Sequence, residues 1–209
     1  MDEEKRVSNK KRNVIIALLL LLIGILLIIF FYRRNIKSAK TMVYLSSEDL
    51  SHGDEYVTVD VQVSNLPDYL FPAVSTSVKF DNEALDLVEV VNGDMEVYEN
   101  GETNSEMLIV PDWTYDIQAA NESGSANLMY LDMSGGNQAF NINGFEQESK
   151  NTLFTLKFKL KNGKSSGDSL KFTIDEATLA TVDDLTNDTG VSMVKGNLSA
   201  KNLSLKINQ

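Results

Sequence analysis

The chain contains no cysteine, so it has no disulfide framework and no thiolate chemistry. It has one histidine, His52, beside Gly53 in a stretch that reads as an exposed loop. A Ser-His-Asp arrangement would have to use that residue, and no serine lies in a nucleophile-elbow pattern. No glycine-rich phosphate loop precedes a helix, and no carboxylate spacing singles out a glycosidase pair. The sequence therefore predicts a protein that is not an enzyme and needs no cofactor. Positive charge is scarce beyond residue 40, where ten lysines face 27 acidic residues, a formal −17. Such a surface repels phosphate backbones, which argues against nucleic acid as a partner.

Long apolar runs are also lacking, with one exception. Val14–Tyr32 reads VIIALLLLLIGILLIIFFY, without charge or proline. Nineteen residues at about 1.5 Å each reach roughly 28 Å as a helix, close to the hydrocarbon thickness of a bilayer. Five basic residues precede the run and four follow it within residues 33–40. The run is longer than a typical signal-peptide core, and no A-x-A site follows it, so it is read as an uncleaved signal anchor. The slightly higher basic count on its N-terminal side and the short tail predict a cytoplasmic N-terminus and an external domain at the cell membrane. The expected organisation is a short tail over 1–13, a transmembrane helix over 14–32, a juxtamembrane linker over 33–41 and one domain over 42–209.

In that domain the period changes to two. Val57, Val59, Val61 and Val63 share one face of a strand, with Thr58, Asp60 and Gln62 on the other. Val74, Thr76, Val78 and Phe80 alternate likewise with Ser75, Ser77 and Lys79. Further strands are read at Met42–Leu45, Leu85–Val91, Met107–Val110, Leu128–Met133, Leu153–Leu160, Leu170–Ile174 and Leu203–Ile207, with a weaker one at Thr178–Val182. Gly53-Asp54, Gly93-Asp94, Asn100-Gly101, Gly135-Gly136-Asn137, Asn143-Gly144, Asn162-Gly163 and Gly167-Asp168 supply the turns. Without a long amphipathic helix between them, these elements predict an all-β, antiparallel sandwich or barrel of roughly nine or ten short strands, preceded by the transmembrane helix.

The order of these pieces resembles the cohesin family, the modules of cellulosome scaffolds. The resemblance rests on Gly53-Asp54, the valine strand Val57–Val63, the turn Asn65-Leu66-Pro67, a second strand ending in Phe80-Asp81, then Leu85 and Gly93-Asp94. The stretches NLMYLDMSGGNQAFNINGF (127–145) and TLFTLKFKLKNG (152–163) continue it, so it spans about residues 42–207. It implies a jelly-roll sandwich that docks a dockerin-like or other surface-assembly protein on one flat sheet face. Carried residue by residue, that face falls on Ala73, Ser75 and Ser77, and on Met129, Leu131, Asp132 and Gly135. Ser75, Ser77, Met129 and Asp132 are the expected partner-binding residues. Known cohesins carry Asn and Asp on the first of these strands, where this chain has Ala73 and Ser75.

The alternative reading is a membrane-tethered carbohydrate-binding module. Trp113, with Tyr115, is either a sugar-stacking platform for it or a plug in the core. Asp183-Asp184-Leu-Thr-Asn187-Asp188 is either an oxygen-rich calcium loop or a solvated acidic turn; it lacks the glycine and terminal glutamate of an EF-hand. Asn-x-Ser/Thr triplets begin at Asn121, Asn187, Asn197 and Asn202, a number chance explains at this asparagine content. Asp81, ending a strand, is read as a turn cap.

Overall fold

The computed structural model describes residues 21, 23–25, 40–67, 69–95, 97–99, 108–133, 138–140, 151–161, 168–181 and 190–208. The chain divides into two compact units, Met1–Ala39 and Lys40–Gln209. In the first, the described residues 21 and 23–25 are helical. Among the described residues no helix is long and apolar enough to cross a membrane; most of the expected Val14–Tyr32 span lies outside them.

The second unit is an all-β sandwich. Its strands are β1 Thr41–Ser46, β2 Leu50–Ser51, β3 Tyr56–Ser64, β4 Ala73–Lys79, β5 Leu85–Asn92, β6 Val97–Glu99 and β7 Leu108–Ile109. They continue as β8 Ser125–Leu131, β9 Gln138–Phe140, β10 Thr152–Leu160, β11 Ser169–Ala180, β12 Val191–Ser192, β13 Leu198–Lys201 and β14 Leu203–Asn208. One helix, α1 (Ile117–Ser123), precedes β8. The first sheet runs β13-β1-β3-β10-β5. The second runs β2-β14-β11-β4-β8, with β12 also on β11, and a small sheet β7-β6-β9 stands apart.

Every strand read from the alternation is present, and the parity holds. β3 buries Val57, Val59, Val61 and Val63, and β4 buries Val74, Thr76 and Val78. The two sheets meet through tilted, closely packed rings: Phe158 of β10 lies 4.9 Å from Phe80 and 5.2 Å from Phe172 of β11, centre to centre. The additional elements, β2, β6, β9, β12 and β13, are two to four residues long, too short for a period to register.

Local chemistry closes the turns. Asn65 takes φ 53°, a left-handed conformation that asparagine tolerates, in the Asn65-Leu66-Pro67 turn. The Asp81 carboxylate accepts the Glu83 N–H at 3.1 Å, and its carbonyl accepts the Leu85 N–H at 2.9 Å, the capping role expected of it. Gly93 is needed for a different reason than a turn. Its N–H donates to the Leu153 carbonyl, and a Cβ there would overlap the Thr152 backbone. Asp94 then accepts the Thr152 N–H at 2.7 Å.

The region from Leu170 onwards departs most from expectation. One twelve-residue strand, β11, replaces two short ones, and it carries a bulge where the pairing to β4 steps from Ile174↔Val78 to Glu176↔Ser77. Before the bulge the buried residues are Leu170, Phe172 and Ile174; after it they are Ala177 and Leu179. The strand read at Leu128–Met133 lies earlier, as β8, and ends at Leu131. The helix α1 was not legible as such. Asp116 caps its start by accepting the Ala119 N–H at 3.0 Å, and Gly124 ends it at φ 69°.

Candidate functional site

The outer face of the second sheet is built on β4. Alternation turns Ser75 and Ser77 outward because Val74, Thr76 and Val78 fill the core from the same strand. On one side β8 pairs antiparallel, setting Leu131 beside Ala73, Met129 beside Ser75 and Asn127 beside Ser77. On the other, β11 sets Ala180 beside Ala73, Thr178 beside Ser75 and Glu176 beside Ser77. Thr114 extends the face past β8 through a bridge to Met129. At about 4.8 Å between strands and 6.8 Å between successive outward residues, this surface measures roughly 14 by 14 Å.

Its relief follows from side-chain size. The central strand carries Ala73, Ser75 and Ser77, and the flanks carry Leu131, Met129 and Asn127 on one side and Thr178 and Glu176 on the other. The result is a shallow trough along β4. Met129 is 45% and Leu131 50% exposed, so the β8 wall is apolar and wet. The Ser77 and Ser125 hydroxyls share a hydrogen bond of 3.0 Å, whereas the Ser75 hydroxyl makes none among the described residues.

The outer face of the first sheet is chemically different. Gln62 holds Ser46, Asn151 and Thr152, Asn151 donates to the Tyr44 hydroxyl at 2.6 Å, and Thr155 donates to Asp60 at 2.6 Å. Lys157 pairs with Glu89 at 3.1 Å and lies over the Tyr56 ring. That surface carries a network of internal polar contacts, beside which Tyr56, Val88 and Val91 stay exposed and the buried Ser64 hydroxyl finds no hydrogen-bond partner.

Of the expected partner-binding residues, Ser75, Ser77 and Met129 are brought together on one face. Asp132 lies beyond the end of β8, where its N–H donates to the Pro72 carbonyl at 2.8 Å and its carboxylate accepts the Gln138 N–H at 3.1 Å. Gly135 and the Asp183–Asp188 loop lie outside the described residues, as do the turns at 100–101, 135–137, 143–144 and 162–163. Thr178 and Glu176 belong to the face and were not read from the sequence. The signal was present: two consecutive polar residues, Asp175-Glu176, interrupt an otherwise alternating run and mark the bulge.

The carbohydrate alternative is overturned where it rested on Trp113. That ring is 6% exposed and packs against Phe154 at 4.8 Å, Phe140 at 5.8 Å and Tyr130 at 6.0 Å. A sugar cannot stack on a face already covered by phenylalanine; Trp113 plugs the core. Beneath the face, Tyr130 is buried and donates to the Gln138 carbonyl at 3.2 Å. Burial, then the nearby Asp132 carboxylate, push its hydroxyl up to about 12. His52 is exposed in the turn after β2, as expected. Asn121 and Asn197, each opening a glycosylation triplet, instead anchor backbone. Asn121 accepts the Leu87 N–H at 2.7 Å and donates to the Leu87 carbonyl at 2.9 Å, tying α1 to β5. Asn197 accepts from Ser192 and donates to Gly190. Among the described residues no group of three or more histidine or carboxylate side chains is placed to hold a metal.

No protein-family model matches the sequence, and no curated protein matches it. Solved structures do match in fold. The third cohesin of ScaC from Acetivibrio cellulolyticus, solved with the ScaB dockerin, superposes at TM-score 0.55 and 16% identity, covering 81% of this chain and 99% of that one. A type I cohesin in the Coh-OlpA–Doc918 complex from Clostridium thermocellum gives 0.56 and 16%, with the same coverage of 81% and 99%. The domain is cohesin-like. The seventh ScaB type I cohesin from Pseudobacteroides cellulosolvens agrees, at TM-score 0.53 and 17% identity over 80% of this chain and 92% of that one. At such identities the likeness carries the sandwich of the cohesin-like domain and its strand order, and the chemistry of its faces has to be read from its own residues.

Proposed function

We propose that this chain is a membrane-anchored module of the cell surface that docks a partner protein on the β8-β4-β11 face. The observation that carries the reading is the relief of the second sheet's outer face, which exposes Met129 and Leu131 beside a strand of small residues. A protein surface can cover that trough closely, and methionine adapts to an irregular partner. The fold supports the reading, since several of the similar structures are complexes of a cohesin with a dockerin. The partner here is dockerin-like or another component of a surface assembly. Ala73 and Ser75 supply no charged or amide group to it, so affinity has to come from shape, from the β8 wall and from the flanks.

Anchoring belongs to the same proposal. It is supported by the apolar run Val14–Tyr32 and its basic flanks. The function is tested by crosslinking in living host cells, followed by purification of the full chain in mild detergent. A specific protein should be crosslinked to photoreactive residues placed at Ser75 or Met129, and not to the same probe on the first sheet at Thr58. Crosslinks from Thr58 alone, or capture of glycan and no protein, would overturn the docking reading.

A further inference from the structure

Strand β5 ends its sheet, with β10 on one side and no strand paired on the other. A strand edge is a row of unpaired N–H and C=O groups, and this chain covers parts of its edges. On β8, Thr114 takes both backbone groups of Met129. On β5, the Asn121 amide takes both backbone groups of Leu87, standing in for a neighbouring strand. Beyond Leu87 that cover stops. The pairing of β5 with β10 steps from Leu87↔Phe158 to Glu89↔Lys157, so Val88 is the extra residue of a bulge. The bulge reverses the parity of the backbone. Leu87 points away from β10, whereas Gly93, odd-numbered like Leu87, donates its N–H to Leu153 of β10. Between them Glu89 and Val91 face β10, and Val90 and Asn92 present both backbone groups to the open side. Among the described residues nothing pairs with them there.

We infer that the β5 edge at Val88–Asn92 is a second docking site, independent of the β8-β4-β11 face, and that it takes an extended, cationic segment of a partner protein as an added strand. Main-chain bonds to Val90 and Asn92 supply the affinity, and alternate side chains supply the specificity. Val88 and Val91 are 39% and 45% exposed, so apolar surface flanks the edge. A β-branched residue of the added strand, opposite Val91, packs against it at about 5 Å between Cβ atoms. Glu89 is tied to Lys157 at 3.1 Å, and neither lysine nor proline stands in Val88–Asn92 to block pairing. Charge decides between occupants. Beyond residue 40, 27 acidic residues stand against ten lysines, so a second copy of this domain is repelled. A segment carrying Lys or Arg is drawn in.

Amide hydrogen exchange in the full chain, held in mild detergent, tests the open edge first. Val90 and Asn92 should exchange fast, and Val91 and Gly93 slowly. Protection of Val90 and Asn92 in the free chain would overturn the inference, because the edge would already be covered. A displayed library of random peptides of about ten residues is then panned against the same chain. Binders should carry Lys or Arg among β-branched residues and should slow exchange at Val90 and Asn92. They should weaken by about tenfold or more on Asn92→Pro and little on Asn92→Ala. Proline there removes only the N–H that points to the open side, so the fold should hold. N-methylation of the peptide tests the same bonds without altering the protein. Methyl groups on one set of alternate nitrogens should abolish binding, and on the other set leave it. A library with no binder that distinguishes the two methylation patterns would overturn the inference. Binders that distinguish them but carry no cation would overturn the choice of occupant.

Discussion

Ser75 occupies the middle of the trough, between Met129 and Thr178, with its hydroxyl uncommitted. Ser75→Arg fills the trough from its floor without touching the core. Stability by chemical denaturation should stay within about 0.5 kcal/mol of the wild type, the usual range for surface changes, while partner binding is lost. Unfolding of this variant would refute the outward assignment, and unchanged binding would move the contact face elsewhere. On the neighbouring edge strand β8, facing the core, Tyr130 gives a pH signature. Its hydroxyl titrates near 10 in the unfolded chain and at about 12 in the folded one. Between these values the unfolded state has released the proton and the folded state has kept it, so stability is full below about pH 10 and falls as pH rises towards 12. Tyr130→Phe should remove that loss, leaving a flatter profile in denaturation measured from pH 9 to 12. An unchanged slope would assign the alkaline loss to other groups.

Backbone proximity decides whether β5 and β10 hold together beyond the Asn92–Phe154 end of their pairing. Gly93→Ala forces a Cβ into the Thr152 peptide, which is main chain and cannot swing aside. A destabilisation of about 1–3 kcal/mol is expected, comparable to overpacking a core, and urea midpoints should show it. An unchanged midpoint would mean that the two strands part easily there. The long alternating strands were legible because four or more residues repeat at period two with valine or phenylalanine inside; β3, β4 and β10 are of this kind. The α1 helix was not, because seven residues make less than two turns' worth of periodicity, although Asp116 and Gly124 at its ends are ordinary cap residues. The face was half legible for a related reason. Parity along β4 places Ser75 and Ser77 from sequence alone, and the resemblance to cohesins placed Met129. Thr178 and Glu176 depend on a bulge that shifts the period by one, and a single-residue insertion erases the periodic signal on which such a reading relies.

At the scale of the whole chain, the sandwich carries its own core, and the N-terminal segment forms a separate compact unit. An apolar run of nineteen residues, uninterrupted by charge, would be costly to leave in water and is long enough for a bilayer. Its flanking lysines and arginines suit lipid headgroups, whereas the acidic domain does not. A docking module gains from such tethering because a partner bound at a surface is held near every other component fixed there. Placing the N-terminus in the cytoplasm and the domain outside leads to a direct outcome. Protease added to intact host cells should digest the domain and leave a membrane-embedded remnant carrying an N-terminal tag. The same protease should remove that tag only after lysis. Protection of the domain until lysis would reverse the orientation, and release of the whole chain by a carbonate wash would show that residues 14–32 do not span the membrane.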